Sequence, residues 1–248
     1  MEFLLSFSAK ELLTATLIFF GAIIYSSVGH GGASSYIAIM TLLGTPVSLI
    51  KPIGLTLNVI VSSIASFRFI QNKFFNLQVF LPIIFGSVPA AFIGGYINLP
   101  ENLYRPLLGF VLLIAGLQLI FNFFKTSAKG QKRVNPMLAF FTGIIIGFIS
   151  GLTGTGGGIF LSPIIVLMRW TTVKAASGTA AGFILLNSIA GLLGNLSSVN
   201  SLPPVVFLFS ISVFFGVMIG TQLGIKHLNP VGLRKVLGIV LIIAAWKF

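Results

Sequence analysis

Two glycine clusters, Gly29-His30-Gly31-Gly32 and Gly154-Thr155-Gly156-Gly157-Gly158, interrupt apolar stretches of this 248-residue chain 125 positions apart. Glycine has no Cβ, so a ligand can reach its peptide groups, and clustered glycines end a helix rather than extend it. Each cluster precedes an apolar segment too short to cross a bilayer comfortably, Ala33 to Leu43 and Ile159 to Met168. A helix that starts just after a break presents unpaired N–H groups and a positive dipole end, a combination suited to an anion. Ser34, Ser35 and Thr155 stand beside the breaks with hydroxyl donors. The chemistry these residues can do is to hold a small oxyanion with neutral donors.

Other polar residues fall within apolar surroundings. His30 could donate to an anion, or titrate near neutral pH and couple transport to protons. It could equally rest as a neutral imidazole on a helix carbonyl. Asn58 and Asn187, with Thr179 near the second, either line a pathway or tie helices together. Gly21, Gly94, Gly95, Gly143 and Gly147 are expected to serve close helix packing. Arg169 and Lys174 are expected to snorkel to the interface, with an anion vestibule as the alternative. His227, beside Lys226, is expected to be solvated.

Several chemistries are excluded. The chain has three acidic residues, Glu2, Glu11 and Glu101, and no cysteine. All three lie near segment ends, whereas cation-coupled carriers place carboxylates at membrane depth. Carboxylate acid–base catalysis and a metal site lack their side chains. Neither glycine cluster follows a strand or ends in the Lys-Ser/Thr of a phosphate loop, so nucleotide binding is rejected. An enzyme and a cofactor are not expected.

The elements that must position these residues are membrane helices. The chain is 56% apolar and 7% charged, with mean hydropathy +1.08. Stretches such as Leu12 to Val28, Leu107 to Phe124 and Val205 to Leu223 approach or reach the ~20 residues of a span. The first is read as a span and not as a signal peptide, because no small-residue cleavage pattern follows it. About ten apolar segments can be marked, so the expected fold is an all-α polytopic bundle.

Charge orients it. If the short segments cross or turn back as re-entrant helices, one face holds Arg68, Lys73, Lys125, Lys129, Lys132, Arg133, Arg169, Lys174, Lys226, Arg234 and Lys235. The other holds only Lys10, Lys51, Arg105 and Lys247. Positive-inside bias then places the Lys125 to Arg133 loop in the cytoplasm and both termini outside it. The net charge of +12 is accounted for by these segment-end cations and requires no nucleic acid. Gly29, Gly31 and Gly32 align with Gly154, Gly156 and Gly157, and Ser63-Ile64-Ala65 aligns with Ser188-Ile189-Ala190 at the same offset. The expected organisation is a first repeat over 1–125, a cytoplasmic linker over 126–135 and an inverted second repeat over 136–248.

Gly29-His30-Gly31-Gly32 with its following polar pair, Gly151-Leu152-Thr153-Gly154-Thr155-Gly156-Gly157-Gly158, and Gly178-Thr179 resemble the repeated signature of the TauE/SafE family of sulfite exporters and sulfonate permeases. The resemblance covers the chain from about Leu12 onward. It implies a bacterial inner-membrane carrier of sulfite, sulfoacetate or related organosulfonates, with the lipid bilayer and a small anion as partners and a homo-oligomer as an option. The expected substrate-binding residues are Gly29, His30, Gly31, Gly32, Ser34, Ser35, Asn58, Gly154, Thr155, Gly156, Gly157, Gly158, Thr179 and Asn187. An anion channel or a non-transporting scaffold would share the helices; the scaffold leaves the paired breaks unexplained.

Overall fold

A computed structural model of the chain describes residues 7–27, 29–121, 131–196, 202–226 and 231–247. Within them the chain is all helical. In order the helices are α1 (Ala9–Ser26), α2 (Ala33–Leu42), α3 (Val47–Gln71), α4 (Leu77–Tyr96) and α5 (Glu101–Phe121), then α6 (Pro136–Thr153), α7 (Gly158–Leu167), α8 (Val173–Gly194), α9 (Val205–Lys226) and α10 (Val231–Trp246). Seven are long and apolar enough to cross a membrane: α1, α3, α4, α5, α6, α8 and α9. The protein is a multi-pass membrane protein. Half of the linker, including Lys129, lies outside the described residues, as do Glu2, Val28, Lys125, His227 and Phe248.

Local chemistry sets the helix ends. Ser8 and Glu11 form a reciprocal capping box at α1. Asn76, Asn135 and Thr172 cap α4, α6 and α8 with their side chains. The short helices α2 and α7 instead start from Gly32 and Gly157, both left-handed at φ 93° and 72°. Such a residue is readily glycine, and the glycine itself offers no side-chain cap to the N–H groups that follow.

Helices pack here through small residues, since lipid supplies no hydrophobic drive between them. A Cβ on Gly143, Gly147 or Gly151 of α6 would lie 2.2, 2.3 or 2.0 Å from a carbonyl oxygen of α4. On the other side, Gly220 and Gly224 of α9 meet the Ile23 and Ser27 carbonyls of α1 at 2.3 and 2.0 Å. Gly94 and Gly95 meet the carbonyls of Phe148 and Gly191, and Gly21 meets the Ser35 side chain, so the expected packing glycines do pack. Phe85, Phe110, Phe141 and Phe215 face outward, where lipid covers them.

The main contacts between long helices correspond between halves, although α10 packs on α2 without an equivalent α5–α7 contact. α4 packs on α6 and α8, while α9 packs on α1 and α3; α3 meets α8, and α5 meets α10. Exchanging the first five helices with the last five returns this set of pairs.

Candidate functional site

The two glycine breaks meet at Asn58, in the middle of α3. A Cβ on Gly31 would lie 2.6 Å from Asn58 Oδ1, and one on Gly156 would lie 2.4 Å from Asn58 Nδ2. The same two positions stand 2.8 and 2.9 Å from one methyl group of Ile184, in the middle of α8. Both breaks therefore reach the same point at mid-height of two long helices. Glycine is required there because the amide and the methyl occupy the space any side chain would need.

Asn58 treats the two breaks differently. Its Oδ1 accepts from the Ala33 N–H at 3.1 Å and so caps α2. Its Nδ2 turns to the second break, fully buried and with no hydrogen-bond partner. A buried donor left unpaired costs about 1–3 kcal/mol, so its position calls for an acceptor. Ser150 Oγ is likewise buried and unpaired, and the Ser150 Cβ lies 3.1 Å from where a Cβ on Gly157 would stand.

Break carbonyls are covered by phenols. Tyr36 donates to Gly31 O at 3.1 Å, and Tyr104 of α5 donates to Thr153 O at 2.9 Å. Exposed carbonyls in unwound segments serve cations. These bonds occupy one carbonyl beside each break, and between the breaks the Asn58 Nδ2 donor is left unpaired.

The outer glycines seat the breaks on the opposite half. Gly29 (φ 73°) abuts the Ser177 carbonyl of α8, and Gly154 (φ 82°) abuts the Lys51 backbone of α3. Gly157 packs on Ile146 and Phe183, and Gly158 on Ile184.

The other expected site residues are placed as follows. His30 is buried with its ring edge-to-face on Tyr25, centroids 6.1 Å apart, and Ser34 lies beside that phenol. Ser35 Oγ donates to Gly32 O at 2.7 Å and faces α1 rather than the junction. The Thr155 hydroxyl lies 3.0 Å from that of Thr153. Asn187 donates to Phe183 O at 2.8 Å within its own helix, which leaves its Oδ1 unpaired. Thr179 lies away from the junction: its hydroxyl accepts from the Asn76 N–H at 3.1 Å in the α3–α4 turn. Lys174 holds its ammonium over the Phe74 ring, 4.9 Å from the centroid.

The junction itself is closed. Every residue from Gly29 to Ser35 and from Gly154 to Gly158 is buried. A cavity of about 680 Å³ opens at one end of the bundle and is lined by Lys51 and Leu152, next to the second break, without entering it. Sequence reasoning groups Lys51 with Arg105 and Lys247 on one face, and the three share this end. It missed that Lys51 is buried in α3 with its ammonium on the carbonyls of Gly95 and Ile97 at 2.8 and 3.0 Å. Ile184 was also missed, since an isoleucine in an apolar helix carries no signal.

Comparison with known proteins places this architecture. The family model described as Sulfite exporter TauE/SafE matches residues 14–248. The chain belongs to the TauE/SafE family of membrane transporters. It is similar to a probable membrane transporter protein of Sinorhizobium fredii, 36% identical over 94% of this chain and 96% of that one. A probable membrane transporter protein of Methanocaldococcus jannaschii is 27% identical over 92% of this chain and 94% of its own. No solved structure matches. Within the family, the glycine runs of this chain are the two breaks that flank Asn58.

Proposed function

We propose that this TauE/SafE member carries small sulfur-containing oxyanions, sulfite or a short organosulfonate, by alternating access. The observation that carries the reading is the Asn58 amide, buried between both breaks with its donor unpaired. The oxyanion head sits where Asn58 Nδ2, the amide end of α7 and Thr155 can donate to it. A charge taken from water needs several such donors, and charge-assisted hydrogen bonds are the strong ones. The family description, sulfite exporter, supports the substrate class.

The contact pattern supports an inverted repeat. The Lys132 N–H, just before α6, donates to Arg169 O just after α7 at 2.8 Å. At the other end, Lys10 of α1 reaches to within 3.6 Å of the Gly44 Cβ position, just after α2. In each half the short helix thus returns toward the face its predecessor left, and rocking of one half on the other would expose the junction to each side in turn. We place the chain in a bacterial inner membrane with both termini away from the cytoplasm.

Uptake of labelled sulfite or sulfoacetate into proteoliposomes tests this reading. Replacing Gly31 or Gly157 with alanine, the smallest intrusion on this packed junction, should abolish uptake, measured on the fraction of each variant that purifies folded. Unchanged uptake in both variants overturns the site. Anion current that scales with voltage and shows no counterflow would replace the carrier with a channel.

A further inference from the structure

We propose that the 680 Å³ cavity is a second anion site, a waiting chamber that receives the substrate before it reaches the glycine junction, with Lys51 as the residue that draws it in. The inference rests on the carrier reading above. The cavity lies where α2, α8 and α10 end and α3 and α5 begin.

Its charge is one-sided. Lys51, Lys247 and Arg105 line it, against a single carboxylate, Glu101. That carboxylate is already taken by Arg105 one turn along α5. Lys51 donates to the carbonyls of Gly94, Gly95 and Ile97 at 3.3, 2.8 and 3.0 Å, and Lys247 to those of Thr41 and Leu42 at 2.9 and 3.0 Å. All five acceptors are neutral carbonyls at helix ends, which orient an ammonium without cancelling its full charge. Net positive charge therefore remains on the wall, and a concave site lined by one sign of charge concentrates ions of the other.

The second break lies just behind the cavity wall. Lys51 Cα and its carbonyl oxygen both lie 3.0 Å from the Cβ position of Gly154. Leu152 lines the same wall, and Tyr104, also in the lining, donates to Thr153 O. An anion held at Lys51 lies across that residue's backbone from Gly154, the first glycine of the break. The volume falls in the range of small-molecule sites, so an anionic head carrying a short polar tail fits. Ser48, exposed one turn before Lys51 on α3, marks the entrance.

The chain has no cysteine, so Ser48→Cys supplies the sole thiol. The variant, in nanodiscs of zwitterionic lipid that exclude anionic headgroups as occupants, is reacted with the anionic 2-sulfonatoethyl and the cationic 2-trimethylammonioethyl methanethiosulfonates. Each rate is normalised to that of a small free thiol. The anionic reagent should be about tenfold favoured, and millimolar sulfoacetate should slow it. Lys51→Gln should remove most of the preference, and Lys51→Arg should keep it. Equal rates in the parent, or a preference untouched by Lys51→Gln and Lys247→Gln together, overturn the proposal. Should the lysine variants fail to fold, the parent's ratio decides alone. The two readings fail separately: anion preference without uptake leaves the chamber and sinks the carrier, whereas uptake without preference does the reverse.

Discussion

Asn58→Ala separates binding from folding, because the two ends of that amide do different work. The carbonyl end caps α2 through the Ala33 N–H at 3.1 Å, and losing a cap of this kind costs about 1 kcal/mol. For a chain of this size that is a fall of about 2–4 °C in Tm. The amino end donates to nothing in the protein. If it donates to the bound anion, its removal costs about 1.5–3 kcal/mol, the range for a hydrogen bond to a charged group. Affinity should therefore drop about 10- to 150-fold while stability changes modestly. Asn187→Ala is the matched control: its donor is spent on Phe183 O, and the atom it leaves unpaired is an acceptor, of no use to an anion. Its affinity cost should stay below about threefold, well under the charged-group range.

The assay is ligand-dependent thermal stabilisation in detergent, which gives Kd by mass action, followed by the KM for uptake in proteoliposomes. The ligand is whichever of sulfite, sulfate, thiosulfate, sulfoacetate and taurine stabilises the unmodified chain. An Asn58→Ala protein with unchanged Kd, or an Asn187→Ala protein that loses as much, refutes the assignment of the free donor to the substrate.

Three further outcomes are expected. Gly151→Ala puts a Cβ 2.0 Å from the Ala91 carbonyl and should destabilise the α4–α6 seam by about 1–3 kcal/mol, read as a lower Tm with the anion Kd retained. Single cysteines at Ser8 and at Arg133 should be labelled by an impermeant thiol reagent from opposite sides, the first in intact cells and the second only once the membrane is permeabilised; labelling of both in intact cells contradicts the inverted topology. Thr179→Val removes the bond from Asn76 N–H and should shift the population about fivefold, by about 1 kcal/mol, toward opening at the α3–α4 turn, measured as faster labelling of a cysteine at Thr171.

Much of the architecture was legible because lipid imposes simple rules. A bilayer demands long apolar runs, and Asn76, Asn135 and Thr172 announce helix starts by the ordinary chemistry of capping. The glycine register singled out the breaks because clustered glycines have no other use at membrane depth. The sequence was silent where identity and environment disagree. Lys51 stands at a segment end, where a lysine is expected to be solvated; only the fold supplies the α4 carbonyls that let it be buried. Thr179 shares its type with residues that line pathways, but the Asn76 amide that claims its hydroxyl is 103 positions away in sequence. At the offset of 125 that aligns the breaks, Asn58 falls opposite Phe183, not Asn187, so the register itself warned that the junction would have one polar wall.

That asymmetry bears on how the carrier would work. The end of the bundle near Arg169 is tightly shut: a Cβ on Gly178 would lie 1.7 Å from the Phe74 carbonyl, Asn76 bonds Thr171 and Thr179, and Lys174 lies over the Phe74 ring. The opposite end holds the cavity. Under the alternating access proposed above, the halves exchange conformations, and the α3–α4 turn would leave α8 as the cavity at Lys51 closes. The position aligned with Lys51 in the second half is Ala176. The chamber formed at that end would then lack the buried ammonium, and an anion would be held more weakly there than at Lys51. Binding from the two sides should accordingly differ in affinity, and the difference should vanish in Lys51→Gln.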